Sequence, residues 1–164
     1  MSDTYKNLMA AFAGESQANR KYLAFAKQAE KEGYNQVAKL FRAAAEAETI
    51  HAHSHLKAAG EIGSTTDNLK AAVTGETYEF ESMYPPMISQ AQSDGNKAAE
   101  QSFTYANEVE KVHADLYNKA LENLENPDES DYFVCPVCGY TCAGHHPDKC
   151  PVCDAAGKTF IVIK

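Results

Sequence analysis

A chain of 164 residues can form one domain, or one medium domain followed by a very small one. Its net charge of −8 and pI of about 5.2 argue against nucleic acid or an anionic membrane as partner. A hydrophobic fraction of 44% with 23% charged residues excludes a disordered chain.

The opening MSDTYKNLMA has neither a basic start nor an apolar centre, so no signal peptide is expected. No run reaches the ~18 apolar residues of a membrane span. Taken in order, the chain reads as four long helices and a short, different tail. The first helix runs from Asp3 or Thr4 to Glu32 and stops at Gly33, and the second from Asn35 to Ala59, stopping at Gly60. EIGSTTD is a linker in which Thr66 or Asp67 can cap a third helix reaching Asp94. Pro85 and Pro86 should bend or locally unwind that helix, because each removes a backbone donor and crowds the preceding turn. Gly95 and Asn96 turn the chain into a fourth helix ending near Leu124.

The expected division is therefore a four-helix bundle over 1–125, a polar linker over 126–131 and a β-containing tail over 132–164. The tail carries short strand-like runs, YFV and TFIVIK, and is too short to hold a hydrophobic core unaided.

Several glutamates occupy apolar helix faces, which is unusual for solvated side chains. Glu15 shares its face with Ala11, Phe12, Ala18 and Tyr22, and Glu48 with Phe41, Ala44, Ala45 and Ala52. Glu76 lies with Ala72, Val73, Phe80 and Met83, and Glu110 with Phe103, Ala106, Ala114 and Tyr117. Glu79 joins Glu76 in an ExxE pair. Unpaired carboxylates pointing inward would each cost several kcal/mol or take up a proton, and bound cations remove that problem.

Spacing sharpens the reading. Glu48-x-x-His51 and Glu110-x-x-His113 each place a carboxylate and an imidazole one turn apart on one helix face. Glu15 precedes Glu48 by 33 residues and Glu76 precedes Glu110 by 34, the mark of a duplicated helix pair. Two ExxH pairs with an inward glutamate from each other helix is the ligand pattern of di-iron and di-manganese carboxylate bundles. Five carboxylates outweigh the charge of two ferrous ions but not of two ferric ions, so Glu76 or Glu79 is expected to trade places with His51 as the redox state changes. Tyr22 and Tyr84 can donate hydrogen bonds to ligand carboxylates, or serve as core tyrosines. His53 and His55 lie off the ExxH register and are expected to be ordinary histidines.

All five cysteines fall in the tail, four of them in the pairs Cys135-Pro-Val-Cys138 and Cys150-Pro-Val-Cys153. Such spacing suits a tetrahedral sulfur site for zinc or a single iron better than disulfides, and points to a reducing compartment, the cytoplasm. Gly139 after the first pair allows positive φ, and Asp154 takes the same place after the second. Cys142 is left as a free thiol.

Glu15, Glu48-x-x-His51, Glu76-x-x-Glu79 followed by MYPP, Glu110-x-x-His113 and CPVCGY…CPVC together resemble the rubrerythrin family over nearly the whole chain. The resemblance implies a mainly α fold, a ferritin-like four-helix bundle followed by a rubredoxin-like domain. It implies two iron ions held by Glu15, Glu48, His51, Glu76, Glu79, Glu110 and His113, and one iron on Cys135, Cys138, Cys150 and Cys153, with zinc as a substitute. By the same resemblance Glu79 is the redox-switching carboxylate, His51 its exchange partner, and Tyr84 a hydrogen-bonding neighbour of the ligands. The implied activity is reduction of hydrogen peroxide, NADH-linked through rubredoxin or an NAD(P)H-dependent reductase. The implied assembly is a cytoplasmic homodimer, with domain swapping compatible and electrons often crossing between subunits. A ferroxidase of ferritin type, an oxidase reducing O2 and a zinc-stabilised binding module are the competing readings.

Overall fold

Alanine-rich amphipathic stretches punctuated by glycine make helices with sharp ends, and the computed structural model is built from them. It describes residues 2–127 and 129–164; the expected linker 126–131 thus includes one position outside the described residues. The helices are α1 (Asp3–Lys31), α2 (Asn35–Ala59), α3 (Thr65–Tyr78), α4 (Tyr84–Ser93) and α5 (Lys97–Glu122). A three-stranded sheet follows, formed by β1 (Tyr132–Val134), β2 (Thr141–Ala143) and β3 (Ile161–Ile163). No helix is long and apolar enough to cross a membrane among the described residues. The chain divides into two compact units, Met1–Gly63 and Ser64–Lys164.

In the first unit α1 and α2 form an antiparallel hairpin. Ala38, Ala45 and Ala52 recur every seven residues along α2 and are buried, as are Ala26 and Ala29 on α1. Small side chains along this seam let the two backbones come close, and polar contacts pin the register. Asn19 Nδ2 donates to the Ala45 carbonyl at 2.7 Å and to Thr49 Oγ1 at 2.8 Å, and Arg42 reaches Glu30 at 2.7 Å. The turn back into α2 uses Gly33 at φ +86°, and α2 ends on Gly60 at φ +80°.

In the second unit α3, α4 and α5 pack together, and α5 also meets β2. The α3 cap differs from expectation: Ser64 caps the helix, accepting from Asp67 N, while Asp67 Oδ2 accepts from Ser64 N. The predicted distortion near the prolines takes the form of a π-helical segment, Glu79–Met83, between α3 and α4. Tyr84 N–H bonds to the Glu79 carbonyl, five residues back. Since Pro85 and Pro86 have no N–H to continue an α ladder, a widened turn just before them lets the helix resume with prolines in its first turn. The sheet has the order β2-β1-β3, all antiparallel, with Phe133 opposite Cys142 and Val162. Its core is small: Cys135, Cys150 and Phe160 are buried, with Phe133, Tyr140 and Val152 against them.

Candidate metal centres

Three clusters of donor side chains emerge among the described residues: Cys135, Cys138, Cys150 and Cys153; Glu15, Glu48 and His51; and Glu76, Glu110 and His113. Within each, the donor atoms lie within 4.8 Å of one another.

The cysteine cluster is built from two turns that repeat one another. Cys135 N bonds to the Tyr140 carbonyl and Cys150 N to the Ala155 carbonyl, both at 2.8 Å. Gly139 N and Asp154 N close the same turns onto the carbonyls of Cys135 and Cys150 at 3.0 Å. Both turning residues have positive φ, +87° at Gly139 and +60° at Asp154, as their position after each CPVC predicts. The sulfurs of Cys135 and Cys153, and of Cys138 and Cys150, stand 3.5 Å apart, and all five cysteines are free thiols. An ion bound ~2.3 Å from four sulfurs holds them ~3.8 Å apart, so the cluster is already near that size. Burial opposes ionisation of Cys135, yet the backbone N–H groups of Cys138 and Val137 bring its thiol down to about 7. Burial pushes Cys138 and Cys153 the other way. Four thiols this close resist sharing negative charge, and a cation among them relieves the resistance.

The first triad belongs to the α1–α2 hairpin. His51 Nδ1 lies 2.9 Å from Glu48 Oε2, the contact that i, i+3 spacing makes available. Glu15 and Glu48 are half-buried and His51 is exposed, so the inward burial expected from the apolar faces is only partial. Two helices can cover a ligand set from one side only.

The second triad draws Glu76 from α3 and Glu110 and His113 from α5. His113 Nδ1 is 2.8 Å from Glu110 Oε2 and 4.0 Å from Glu76 Oε1. Burial, then the charge of Glu110 and a hydrogen bond to it, raise the Glu76 carboxyl above the ordinary range. Glu79 stands outside the triad at the start of the π segment, and burial and the charge of Glu76 raise it too. Acidic groups held together against their preference are what a cation stabilises. Burial raises the Tyr84 phenol, and the charges of Glu79, Glu110 and Glu76 add to it, which places that ring in the field of the ligands. Tyr22 packs on Phe25 and Phe41, at ring centroid distances of 6.4 and 6.1 Å.

His53 is exposed and His55 half-buried, and neither joins a donor cluster among the described residues. Cys142 lies outside the sulfur cluster, its Sγ 3.4 Å from the His145 carbonyl. Thr141 escaped the sequence reading altogether. Its Oγ1 is 3.1 Å from His113 Nε2 and donates to the Gly139 carbonyl at 3.0 Å. Nothing in a threonine of a short strand signals such a contact, which exists only once the tail meets α5.

Residues 6–121 match the family model described as Rubrerythrin, and residues 133–161 that described as Rubrerythrin, rubredoxin-like domain. Among curated relatives, nigerythrin of Nitratidesulfovibrio vulgaris is 39% identical, with 98% of this chain and 86% of the relative aligned. Rubrerythrin-2 of Clostridium acetobutylicum is 37% identical over 93% of this chain and 92% of its own length. A solved structure of nigerythrin in a fully reduced, all-ferrous state has a TM-score of 0.61 at 38% identity, covering 99% of this chain and 88% of that one. The fold class is therefore the expected one, mainly α with ferritin-like helices followed by a rubredoxin-like domain. The chain belongs to the rubrerythrin family. That family binds iron, and both donor types fit it: carboxylates and imidazoles for a di-iron centre, four thiolates for a rubredoxin-type iron.

Proposed function

We propose that this protein is a non-haem di-iron peroxidase that reduces hydrogen peroxide to water, H2O2 + 2H⁺ + 2e⁻ → 2H2O. The observation that carries the reading is the presence, in one chain, of carboxylate–imidazole triads and a four-thiol cluster. Oxygen and nitrogen donors suit iron that meets an oxygen substrate, whereas four sulfurs suit iron that only carries electrons. A ferritin-type store has no use for such an electron carrier at every turnover. The nigerythrin structure described as all ferrous supports iron as the metal.

In this reading residues 1–125 form the di-iron part and residues 132–164 the electron-carrying part, with 126–131 between them. Glu15, Glu48, His51, Glu76, Glu79, Glu110 and His113 would hold two iron ions. The bound irons supply Lewis acidity and two electrons for the peroxide O–O bond. The protein's own part is to hold charge and protons in place. Glu76 and Glu79, raised by burial and by neighbouring carboxylates, gain most from a cation and lose it most readily to a proton. Glu79 would be the carboxylate that trades places with His51 when the metal charge changes, and the exposed His51 ring has room for such an exchange. Tyr84 keeps its proton among carboxylates and so remains a hydrogen-bond donor, a role we extend to Tyr22.

Electrons reach Cys135, Cys138, Cys150 and Cys153 from a rubredoxin or an NAD(P)H-dependent reductase. The five free thiols fit a reducing compartment, which we take as the cytoplasm. A homodimer, swapped or not, suits the large apolar residues exposed on α1 and α2, among them Phe25, Leu40 and Ile50.

The test is to reduce the iron-loaded protein anaerobically and titrate it with peroxide. The ferric-thiolate absorbance should return with two electrons consumed per peroxide, without release of O2, and faster than with O2 at equal concentration. Unchanged spectra with peroxide, or iron accumulating far beyond the ligand set under O2, would refute the peroxidase reading.

A further inference from the structure

Ferritin-like bundles carry one long crossover, and this chain has no room for it. Among the described residues its helices are joined by 32–34, 60–64 and 94–96, each a short turn. A crossover is long because the helices it joins run the same way; antiparallel helices need only a turn. With α1 and α2 already closed into a hairpin, the crossover belongs at 60–64, between α2 and α3. The ligand heights say how far it must reach. Glu48 lies eleven residues before Ala59, the last residue of α2, and Glu76 eleven after Thr65, the first of α3. At 1.5 Å per residue each interval is about 17 Å long. Bringing Glu76 level with Glu48 on parallel helices therefore takes about 33 Å between Ala59 and Thr65. Six fully extended steps reach at most about 21 Å.

Each half also leaves apolar surface open along its ligand face. On α2, Val37 stands three turns before Glu48 on the same side and is exposed, as is Leu40 beside it. On α5, Tyr117 stands two turns beyond Glu110 on the same side and is exposed as well. We infer that each helical bundle is assembled from two chains that exchange identical hairpins. The α1–α2 hairpin of one copy covers α3 and α5 of the other, and the reverse pairing closes the dimer on a two-fold axis. Each metal centre then takes Glu15, Glu48 and His51 from one chain and Glu76, Glu79, Glu110 and His113 from the other. The link 60–64 has only to pass from one bundle to its neighbour, and a hinge too short to fold back favours exchange over closure. This exchange presupposes that both triads serve one centre, as proposed above, and needs nothing of peroxide.

Two differently tagged variants test it, Glu15→Ala/Glu48→Ala and Glu76→Ala/Glu110→Ala, each lacking the donors of one half. Purified alone, either should hold iron on its tail cysteines only. Co-expressed and isolated through both tags, the mixed dimer should hold about two further irons, because one of its bundles joins the intact hairpin of one chain to the intact second half of the other. Wild-type chains isolated through the same two tags should hold about four beyond those of the tails. Closure within one chain leaves every bundle of the mixed dimer half-stripped. No iron gained on mixing, alongside a full complement in the wild type, would overturn the exchange, as would failure to recover doubly tagged wild-type chains. If the variants do not fold, the link decides. With about fifteen glycine and serine residues inserted after Gly60, one chain can span the crossover. Iron-loaded monomer should then appear in sedimentation where the wild type shows dimer alone; a lengthened chain that yields none would overturn the exchange. A wild type whose helices bind no iron loses the di-iron reading and the shared centre with it, whereas one that binds iron only in unmixed chains loses the exchange alone.

Discussion

Gly139 and Asp154 follow the second cysteine of each knuckle and both sit at positive φ, yet only one of them is glycine. Aspartate tolerates the left-handed region better than most residues, whereas a plain Cβ there costs roughly 1–2 kcal/mol. Gly139→Ala should therefore destabilise the zinc-loaded tail by about that amount in denaturant titration. Its Cβ would find Val109 only at ordinary contact distance, so the loss comes from the backbone. Asp154→Gly should cost nothing measurable, and equal losses at the two positions would show this reasoning wrong. The conformation of both residues was legible from their place after CPVC. The neighbour of Gly139 was not, because Val109 lies in a helix that ends before the tail begins.

At the scale of elements, the boundaries that glycine sets were readable and those set by side-chain caps were less so. Asn35–Ala59 emerges from the sequence with both ends correct, because Gly60 must take the left-handed turn that closes the helix. The start of α3 was expected at a Thr66 or Asp67 cap, and the reciprocal Ser64–Asp67 bonds place the cap at Ser64 instead. Those bonds hold the Asp67 carboxyl below the ordinary aspartate range, the side-chain bond to Ser64 being the main cause. A lowered folded value means stability that is complete above the unfolded pKa and is withdrawn as pH falls through the folded one. Ser64→Ala should thus lower the melting temperature at neutral pH and flatten its decline below about pH 4. An unchanged acid profile would contradict the capping assignment. The prolines announced a distortion without its form; a π turn, a kink and a break all remove the same two donors. Strand β2 was invisible, since Thr141–Ala143 has neither the length nor the alternation to declare itself, and only pairing with β1 makes it a strand.

For the whole molecule, the ligand types were legible and their grouping was not. Spacing of three within a helix pairs Glu48 with His51 and Glu110 with His113, and the structure keeps both pairs in contact. Which other glutamate joins each pair depends on packing between helices, and Glu15 and Glu76 are the ones brought within reach. Glu79 lies outside the triad, at the α-to-π junction. The tail, with three buried side chains at its centre, owes its fold to whatever ion the four sulfurs hold. Oxygen and nitrogen ligands are proposed to hold one pair of irons while sulfur holds a third. Mössbauer spectroscopy with iron analysis on anaerobically purified protein addresses it most directly. About three irons per chain are expected, two in a coupled oxygen- and nitrogen-ligated pair and one in tetrahedral sulfur. A single sulfur-bound ion, with no iron signal lost when Glu76 and Glu110 are both replaced by alanine, would contradict it.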